Sequence, residues 1–102
     1  MTQPDLGALL AKAKEMQTRL AEMQRELAQR RIEGSAGGGM VTVVASGDLR
    51  ILEIQIEPSL LASGDREMLQ DLTAAAVNAA LANAQRAVQE ALQRHPVALG
   101  LE

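Results

Sequence analysis

Apolar residues in the first third of the chain recur at alternating spacings of three and four. The repeating positions are Leu6, Leu9, Ala13, Met16, Leu20, Met23 and Leu27. A period of about 3.5 residues is the heptad pattern of a coiled coil, so it predicts a helix over residues 5–31 with one narrow apolar stripe, the heptad seam. Asp5 can cap the start of this helix. Arg30 replaces an apolar residue at the next position of the pattern, so the seam ends there.

Two β-rich runs follow the helix. Residues 40–45 are rich in β-branched side chains, and residues 50–56 alternate between apolar and polar. The alternation predicts one apolar face, formed by Leu52, Ile54 and Ile56. With a short first strand, the predicted strands cover about residues 32–35, 40–45 and 50–56. Together they predict a three-stranded antiparallel meander.

The last third of the chain predicts a second long helix over residues 65–95, followed by a short tail over residues 96–102. Ser63 or Asp65 can cap its start, and Pro96 follows its end. Its apolar residues form two stripes. The first contains Leu69, Leu72, Ala76 and Ala80, and the second contains Val77, Leu81, Ala84, Val88 and Leu92. A helix that is apolar on two sides has two neighbours, which we expect to be its own sheet and a partner helix or subunit.

Length and composition point to one α+β domain over residues 1–102, with the order α-β-β-β-α and the antiparallel sheet between two long helices. The chain is 47% hydrophobic but contains no Phe, Tyr or Trp, so its core must be aliphatic and rich in Ala. Small side chains remove little surface from water, at about 25 cal/mol per Å². Two long Ala-rich helices would leave apolar surface exposed in a single chain, which favours a homo-oligomer.

The absence of cysteine excludes disulfides and thiolate metal sites, and it fits a reducing cytosol. The first residues lack the pattern of a signal peptide, and no apolar run approaches the roughly 20 residues of a membrane span. We therefore expect a soluble, cytoplasmic protein with no membrane partner.

No set of residues has the pattern of a catalytic or metal site. Glycines 37–39 precede a strand rather than the Lys and helix of a phosphate-binding loop, so we interpret them as a hairpin turn. His95 has no partner for acid–base catalysis and is interpreted as a complement to the helix C-terminus. Glu67 and Asp71 share a helix face but are too few to hold a metal. We expect no enzyme activity, no cofactor and no small-molecule substrate.

Asn78 lies within an otherwise apolar segment of the second predicted helix. Our preferred interpretation is a hydrogen bond across a junction between this helix and the sheet. The alternative is that Asn78 fixes the register of a helix pair, as buried polar residues do in coiled coils. Neither interpretation is catalytic.

The net charge of −3 is unevenly distributed. Residues 1–34 carry a net charge of +1, whereas residues 35–64 and 65–102 carry −2 each. A solvated helix face of mixed charge explains this pattern as readily as a binding surface does. Because the chain has no aromatic side chain on which bases could stack, any nucleic acid must be bound through its phosphates by Lys and Arg.

A resemblance to a known family rests on Gly34 and on four stretches of sequence. The stretches are Met23–Gln29, Gly39–Val43, Ile54–Leu61 and Glu67–Ala80. In order and spacing they resemble the YbaB/EbfC family of bacterial nucleoid-associated proteins, across roughly residues 9–92. The resemblance implies the α-β-β-β-α fold, an intertwined homodimer shaped like tweezers, and DNA binding with little sequence stringency in the cytoplasmic nucleoid.

The expected DNA-binding residues follow from this resemblance and from the charge distribution. They are Lys12, Lys14 and Arg19 on the first helix and Arg86 and Arg94 on the second. Arg19 falls where the family also carries a basic residue, and the other four are chosen by placement alone. We expect them to contact the phosphates of duplex DNA.

One alternative function remains open. Two helices that flank a β-hairpin are also similar to prefoldin-like chaperone subunits, whose helix tips hold client proteins. Salt-sensitive binding to duplex DNA would favour the first function, and suppression of client aggregation would favour this protein-interaction module.

Overall fold

The computed structural model describes residues 5–94, and its elements follow the order helix, three strands, helix. They are α1 (Leu6–Gln29), β1 (Arg31–Ala36), β2 (Val41–Ser46), β3 (Ile51–Ile56), α2 (Pro58–Ala62) and α3 (Arg66–Arg94). The predicted α-β-β-β-α order is confirmed. The ends of the predicted elements agree with the observed ones to within two residues, and the short helix α2, which was not among the predicted elements, lies between β3 and α3. The interpretation of His95 and the predicted tail over residues 96–102 lie outside the described residues.

The three strands form an antiparallel sheet in the order β1-β2-β3. Gly37, Gly38 and Gly39 make the turn between β1 and β2, and all three have a positive φ, which glycine adopts at little cost. In the centre of the sheet Val43 pairs with Gly34 on one side and with Ile54 on the other.

A β-bulge between Val44 and Ala45 changes the predicted face of β3. It places Ile51 opposite Ala45, so that Ile51 lies on the same face as Ile54. The predicted alternation leaves Ile51 off this face. The alternation of the sequence could not show the bulge, because a bulge depends on how two strands pair.

α3 packs across β1 and β2, and the packing is close because both surfaces carry small residues. The buried residues of this core are Val41, Val43, Ala45, Leu60, Ala76, Ala80 and Ala84. A Cβ added at Gly34 would lie 2.6 Å from the carbonyl carbon of Ala79, so the two backbones nearly touch. β3 lies largely outside the cover of α3, and its Ile54 is 46% exposed.

The buried stripe of α3 differs from the two predicted stripes. Ala84 belongs to the buried side, which continues through Ala87 and Ala91 towards the C-terminal end. Val77 and Leu81, by contrast, are only half-buried in a single chain. The prediction that Ala84 lies on the second stripe is wrong.

α1 begins at the predicted cap. The Asp5 carboxylate accepts hydrogen bonds from the backbone N–H groups of Gly7 and Ala8, at 3.0 and 3.3 Å. At the other end of α1, the N–H of Gly47 donates to the carbonyl of Leu27 at 2.7 Å and fixes the helix to the turn between β2 and β3.

A single chain covers only the C-terminal part of the heptad seam. Met23 and Leu27 are buried against Ala87 and Ala91 of α3. Every residue from 5 to 15 is exposed, and the three exposed leucines of this segment are Leu6, Leu9 and Leu10. Ten residues of α1, about 15 Å of helix, therefore extend without cover.

Two polar residues fix α3. Asp65 is its cap, because the Asp65 carboxylate accepts a hydrogen bond from the N–H of Met68 at 3.0 Å. Asn83 donates its side-chain N–H to the carbonyl of Glu33 at 2.9 Å and ties α3 to β1. Asn78 is exposed, so the preferred interpretation of Asn78 as the residue that bonds to the sheet is wrong.

The molecule is unusually elongated for its length. Its radius of gyration is 20.3 Å, whereas a compact domain of this length has about 13 Å. We call residues 5–30 together with residues 85–94 the arm, and residues 31–84 the body. The arm contains α1 and the C-terminal end of α3, and the body contains the sheet and the rest of α3.

Candidate nucleic-acid interface

Lys12 and Arg19 lie on one side of α1, next to the heptad seam. They are seven residues apart, close to two helical turns, so both follow the same line along the helix. Both are exposed. The Arg19 guanidinium also contacts the Glu15 carboxylate at 3.4 Å, with both side chains about half exposed.

Lys14 lies on the opposite side of α1 from Lys12, because two residues correspond to about 200° of helical rotation. It shares that side with Arg25, which is eleven residues further on and also exposed. The structure therefore does not bring Lys12, Lys14 and Arg19 onto one face. Arg25 is a basic arm residue that sequence reasoning missed, although its eleven-residue spacing from Lys14 could have revealed the shared side.

Arg86 and Arg94 lie on the part of α3 that belongs to the arm, about 12 Å apart along the helix axis. Arg86 donates a hydrogen bond to the Asn83 side-chain oxygen at 3.4 Å. Arg94 stands in the last turn of α3, where a positive charge complements the partial negative charge of the helix C-terminus.

The contacts of Arg19 and Arg86 do not prevent either side chain from binding an anion. Exposed ion pairs contribute about 0–1 kcal/mol, because water screens the charges and both side chains lose rotamer freedom. A phosphate oxygen can therefore replace the Glu15 carboxylate at little cost. Exposed long side chains on a helix are also suited to a ligand whose charges are repeated along a backbone.

Charge is segregated between the two parts of the molecule. The arm carries seven basic and five acidic residues, a net charge of +2. The body carries three basic and seven acidic residues, a net charge of −4. A polyanion is therefore attracted to the arm and repelled from the body.

One of the three basic residues of the body is already paired. Arg31 on β1 reaches across β2 and bonds to the Glu53 carboxylate of β3 at 2.8 Å. This hydrogen bond, together with the positive charge of Arg31, lowers the pKa of Glu53. The pair lies on the sheet face that α3 does not cover, and the Glu53 carboxylate offsets the charge of Arg31 locally.

Among the described residues, the structure shows no metal site and no membrane-spanning helix. Among residues 5–94, no group of three or more His, Asp or Glu side chains is placed to hold a metal ion, and Glu67 and Asp71 have no third ligand. In the same range no helix has the length and apolar character needed to cross a membrane. The turn at Gly37–Gly39 joins two strands rather than preceding a helix.

Comparisons with known proteins agree with this architecture. Over 80 residues the chain is 48% identical to a nucleoid-associated protein of Desulfotalea psychrophila, and the aligned region covers 78% of this chain and 76% of the relative. It is 39% identical over 97 residues to a nucleoid-associated protein of Legionella pneumophila, with 95% and 86% covered. A crystal structure of an uncharacterized protein from Helicobacter pylori superposes with a TM-score of 0.72 at 25% identity, covering 97% of this chain and 98% of that one.

The sequence model of the YbaB/EbfC DNA-binding family matches residues 2–96, nearly the whole chain. The order of helices and strands, the positive arm and the similar proteins all agree with that match. The chain belongs to the YbaB/EbfC DNA-binding family.

Proposed function

We propose that this protein is a nucleoid-associated homodimer that binds duplex DNA through phosphates, with little sequence specificity. The observation that carries the proposal is the segregation of charge, +2 on the arm against −4 on the body. A net-acidic protein can bind a polyanion when its basic groups lie together and its acidic groups lie elsewhere. The nucleoid-associated names of the relatives support the proposed cellular location.

Low sequence specificity follows from the type of side chain in the arm. All seven of its basic residues are exposed: the predicted five, Lys12, Lys14, Arg19, Arg86 and Arg94, together with Arg25 and Arg30. Contacts from Lys and Arg to phosphates position a protein on DNA but do not read the base sequence. Without aromatic residues the chain cannot stack on unpaired bases, so a duplex is the favoured form.

The surface area of a single chain supports the homodimer. The chain exposes 7202 Å², whereas a compact folded monomer of 10.8 kDa exposes about 5,500 Å². The excess is about 1,700 Å² per chain, and a stable obligate dimer buries about 1,000 Å² or more on each partner. A second copy would cover this excess and would also present two arms to one duplex.

The proposal is tested by removing charge from the arm and, separately, from the body. The arm variant is Lys12→Ala, Lys14→Ala and Arg19→Ala combined, and the matched body variant is Arg31→Ala, Arg50→Ala and Arg66→Ala combined. Both variants have three fewer positive charges than the natural chain. Binding of two unrelated duplexes is measured by fluorescence anisotropy at several salt concentrations, with circular dichroism as the test of folding.

We expect the affinity of the arm variant to fall at least about tenfold on both duplexes. Its log–log dependence on salt should flatten by roughly 0.9 for each phosphate that the variant no longer neutralises. The body variant should bind within about threefold of the unaltered protein, because its charges are remote from the DNA. Equal reductions in both variants would contradict the assignment to the arm. No binding by the unaltered protein at low salt, together with suppression of client aggregation, would favour the prefoldin-like function instead.

A further inference from the structure

The first turns of α1 carry three leucines that remain largely exposed to solvent. Leu6, Leu9 and Leu10 are 70%, 57% and 69% exposed. Steps of three and four residues correspond to about 300° and 400° of helical rotation, so Leu9 lies about 60° to one side of Leu6 and Leu10 about 40° to the other. The three residues form one apolar strip, which we call the leucine face. An exposed apolar strip on a folded chain marks a contact surface.

Positive charge borders the leucine face on both sides. Lys12 lies about 60° beyond one edge of this face, and Lys14 lies about 40° beyond the other. Arg19 and Arg25 lie within about 20° of Lys12 and Lys14, respectively, around the helix. We call Lys12 and Arg19 the first flank, and Lys14 and Arg25 the second flank. All four side chains are exposed, so a partner on the leucine face meets positive charge on both of its sides.

The opposite side of α1 carries carboxylates. Glu15 is nine residues from Leu6, about two and a half turns, which places it on the side of the helix directly opposite Leu6. Glu22 lies within about 20° of Glu15 around the helix, and both side chains are exposed. The helix therefore has an apolar front, two positive flanks and a negative back.

The major groove of duplex DNA has the complementary arrangement. Its walls are the phosphate backbones of the two strands, and its floor presents base edges that include the methyl group of each thymine. The groove is about 12 Å wide, and an α-helix with its side chains is about 10–12 Å across. Residues 5–15, all of them exposed, supply about three turns of helix that can enter it.

We propose that the N-terminal part of α1 lies in the major groove, with the leucine face on its floor and one positive flank towards each strand. Thymine methyl groups are the apolar contacts that the groove offers to the leucines. The carboxylates of the back then face solvent, away from the phosphates. This inference rests on the DNA binding proposed above and specifies the groove that is used and the contact with both strands.

Low sequence specificity is compatible with this position of α1. The leucines carry no hydrogen-bonding group, so they cannot read the donors and acceptors by which the major groove distinguishes base pairs. Their contact with thymine methyl groups responds to the number of A·T pairs. Duplexes of equal A·T content should therefore be bound alike.

A second α1 helix is the competing occupant of the leucine face, because the heptad pattern is typical of helix pairs. Stable pairs place opposite charges at the positions beside the seam. Between residues 6 and 19 none of these positions is acidic: Leu10, Lys12, Gln17 and Arg19. A second copy would thus offer no carboxylate there, whereas DNA offers phosphates on both sides.

Modified duplexes of one sequence test the groove, with binding measured by fluorescence anisotropy at low salt. Replacing thymine by uracil removes the methyl groups and should weaken binding about threefold. Glucosylated 5-hydroxymethylcytosine, which fills the major groove, should weaken it at least about tenfold, and so should double-stranded RNA, whose major groove is deep and narrow. Inosine in place of guanine is the matched control, because it removes only a minor-groove amino group, and should change affinity less than about twofold.

Undiminished binding of the glucosylated duplex would overturn the proposal and leave phosphate binding by the arm intact. Weakening by inosine as large as that by glucosylation would overturn it in favour of the minor groove. Failure to bind any duplex at low salt would contradict the proposed function as well.

Paired substitutions test the contact with both strands. Lys12→Ala with Arg19→Ala, and Lys14→Ala with Arg25→Ala, should each flatten the log–log dependence on salt by roughly 1.8, or 0.9 for each of two phosphates. A helix that rests against the outside of one strand would lose this slope in only one of the two variants, and that result would overturn the proposal. Circular dichroism checks that both variants keep their helix content.

The leucine face is tested by Leu6→Ala combined with Leu10→Ala. This variant should lose the threefold preference for thymine over uracil, whereas Leu61→Ala, at a residue 58% exposed in the body, should keep it. A variant that keeps the thymine preference but sediments as a smaller species without DNA would assign the leucine face to a second copy instead. That outcome would overturn the proposal.

Discussion

Gly34 is the position where the structure predicts that a single added methyl group lowers the stability of the fold most. It lies on β1 directly beneath α3, and an alanine Cβ there would come within 2.6 Å of the Ala79 carbonyl carbon and closer still to the Ala80 nitrogen. Ordinary contacts of a Cβ are 3.4–4 Å. Since both obstructing atoms belong to the helix backbone, no side-chain rotation can relieve the clash. Roughly 1 Å must open between α3 and the sheet.

We estimate the cost of Gly34→Ala at about 3 kcal/mol, the upper part of the range for overpacking in a core. Opening the gap also weakens the packing of Val43 against Ala80, because dispersion falls steeply with distance. A cost of this size is a large part of the roughly 5–15 kcal/mol by which domains are typically stable. It should lower the midpoint of thermal unfolding by roughly 10–20 °C.

The assay is circular dichroism during heating and urea unfolding, at one fixed protein concentration because the proposed dimerisation would stabilise the fold. Gly38→Ala is the matched control, since Gly38 has a φ of +66° but no atom within 4 Å of an added Cβ. It should cost about 1 kcal/mol through backbone strain alone. If the free energy of unfolding of Gly34→Ala stays within about 1 kcal/mol of the unaltered protein, the close approach of β1 and α3 is wrong.

Two further predictions concern side-chain bonds in the body. Asn83→Ala removes the hydrogen bond to β1 and should leave the protein about 1 kcal/mol less stable than the control Asn78→Ala. The control makes the same change in helix propensity. Equal midpoints of urea unfolding for the two variants would contradict this prediction. Because Arg31 lowers the pKa of Glu53, the pair stabilises the fold above the ordinary Glu pKa, and this stabilisation disappears as pH falls through the lowered pKa. Arg31→Gln should therefore show a shallower fall in thermal midpoint on acidification, and an unchanged profile would refute the linkage.

Sequence patterns predicted the features that depend on local structure. The seam period and Asp5 marked the first helix, and Asp65 was one of two proposed caps for α3. Features that depend on how elements pair were not predictable. The bulge that brings Ile51 onto the face of Ile54 arises only when β2 and β3 are aligned.

The orientation of α3 about its own axis, relative to the sheet, explains the wrong predictions for Asn78 and Ala84. Which asparagine bonds to β1 depends on that rotation, and Asn83 makes the bond that was predicted for Asn78. The same rotation places Ala84 on the buried side. For the candidate interface, helical spacing alone could have shown that Lys14 faces away from Lys12, since both lie within one continuous helix.

The central claim is that the arm binds duplex DNA through phosphates, and the dependence of affinity on salt tests it most directly. Dissociation constants of the unaltered protein would be measured for two duplexes of unrelated sequence over a range of salt concentrations. Phosphate binding predicts nearly equal affinities for the two duplexes and a common, steep decline with salt, with a log–log slope of about −0.9 per phosphate contacted. A strong preference for one duplex, or binding that does not weaken as salt rises, would contradict it.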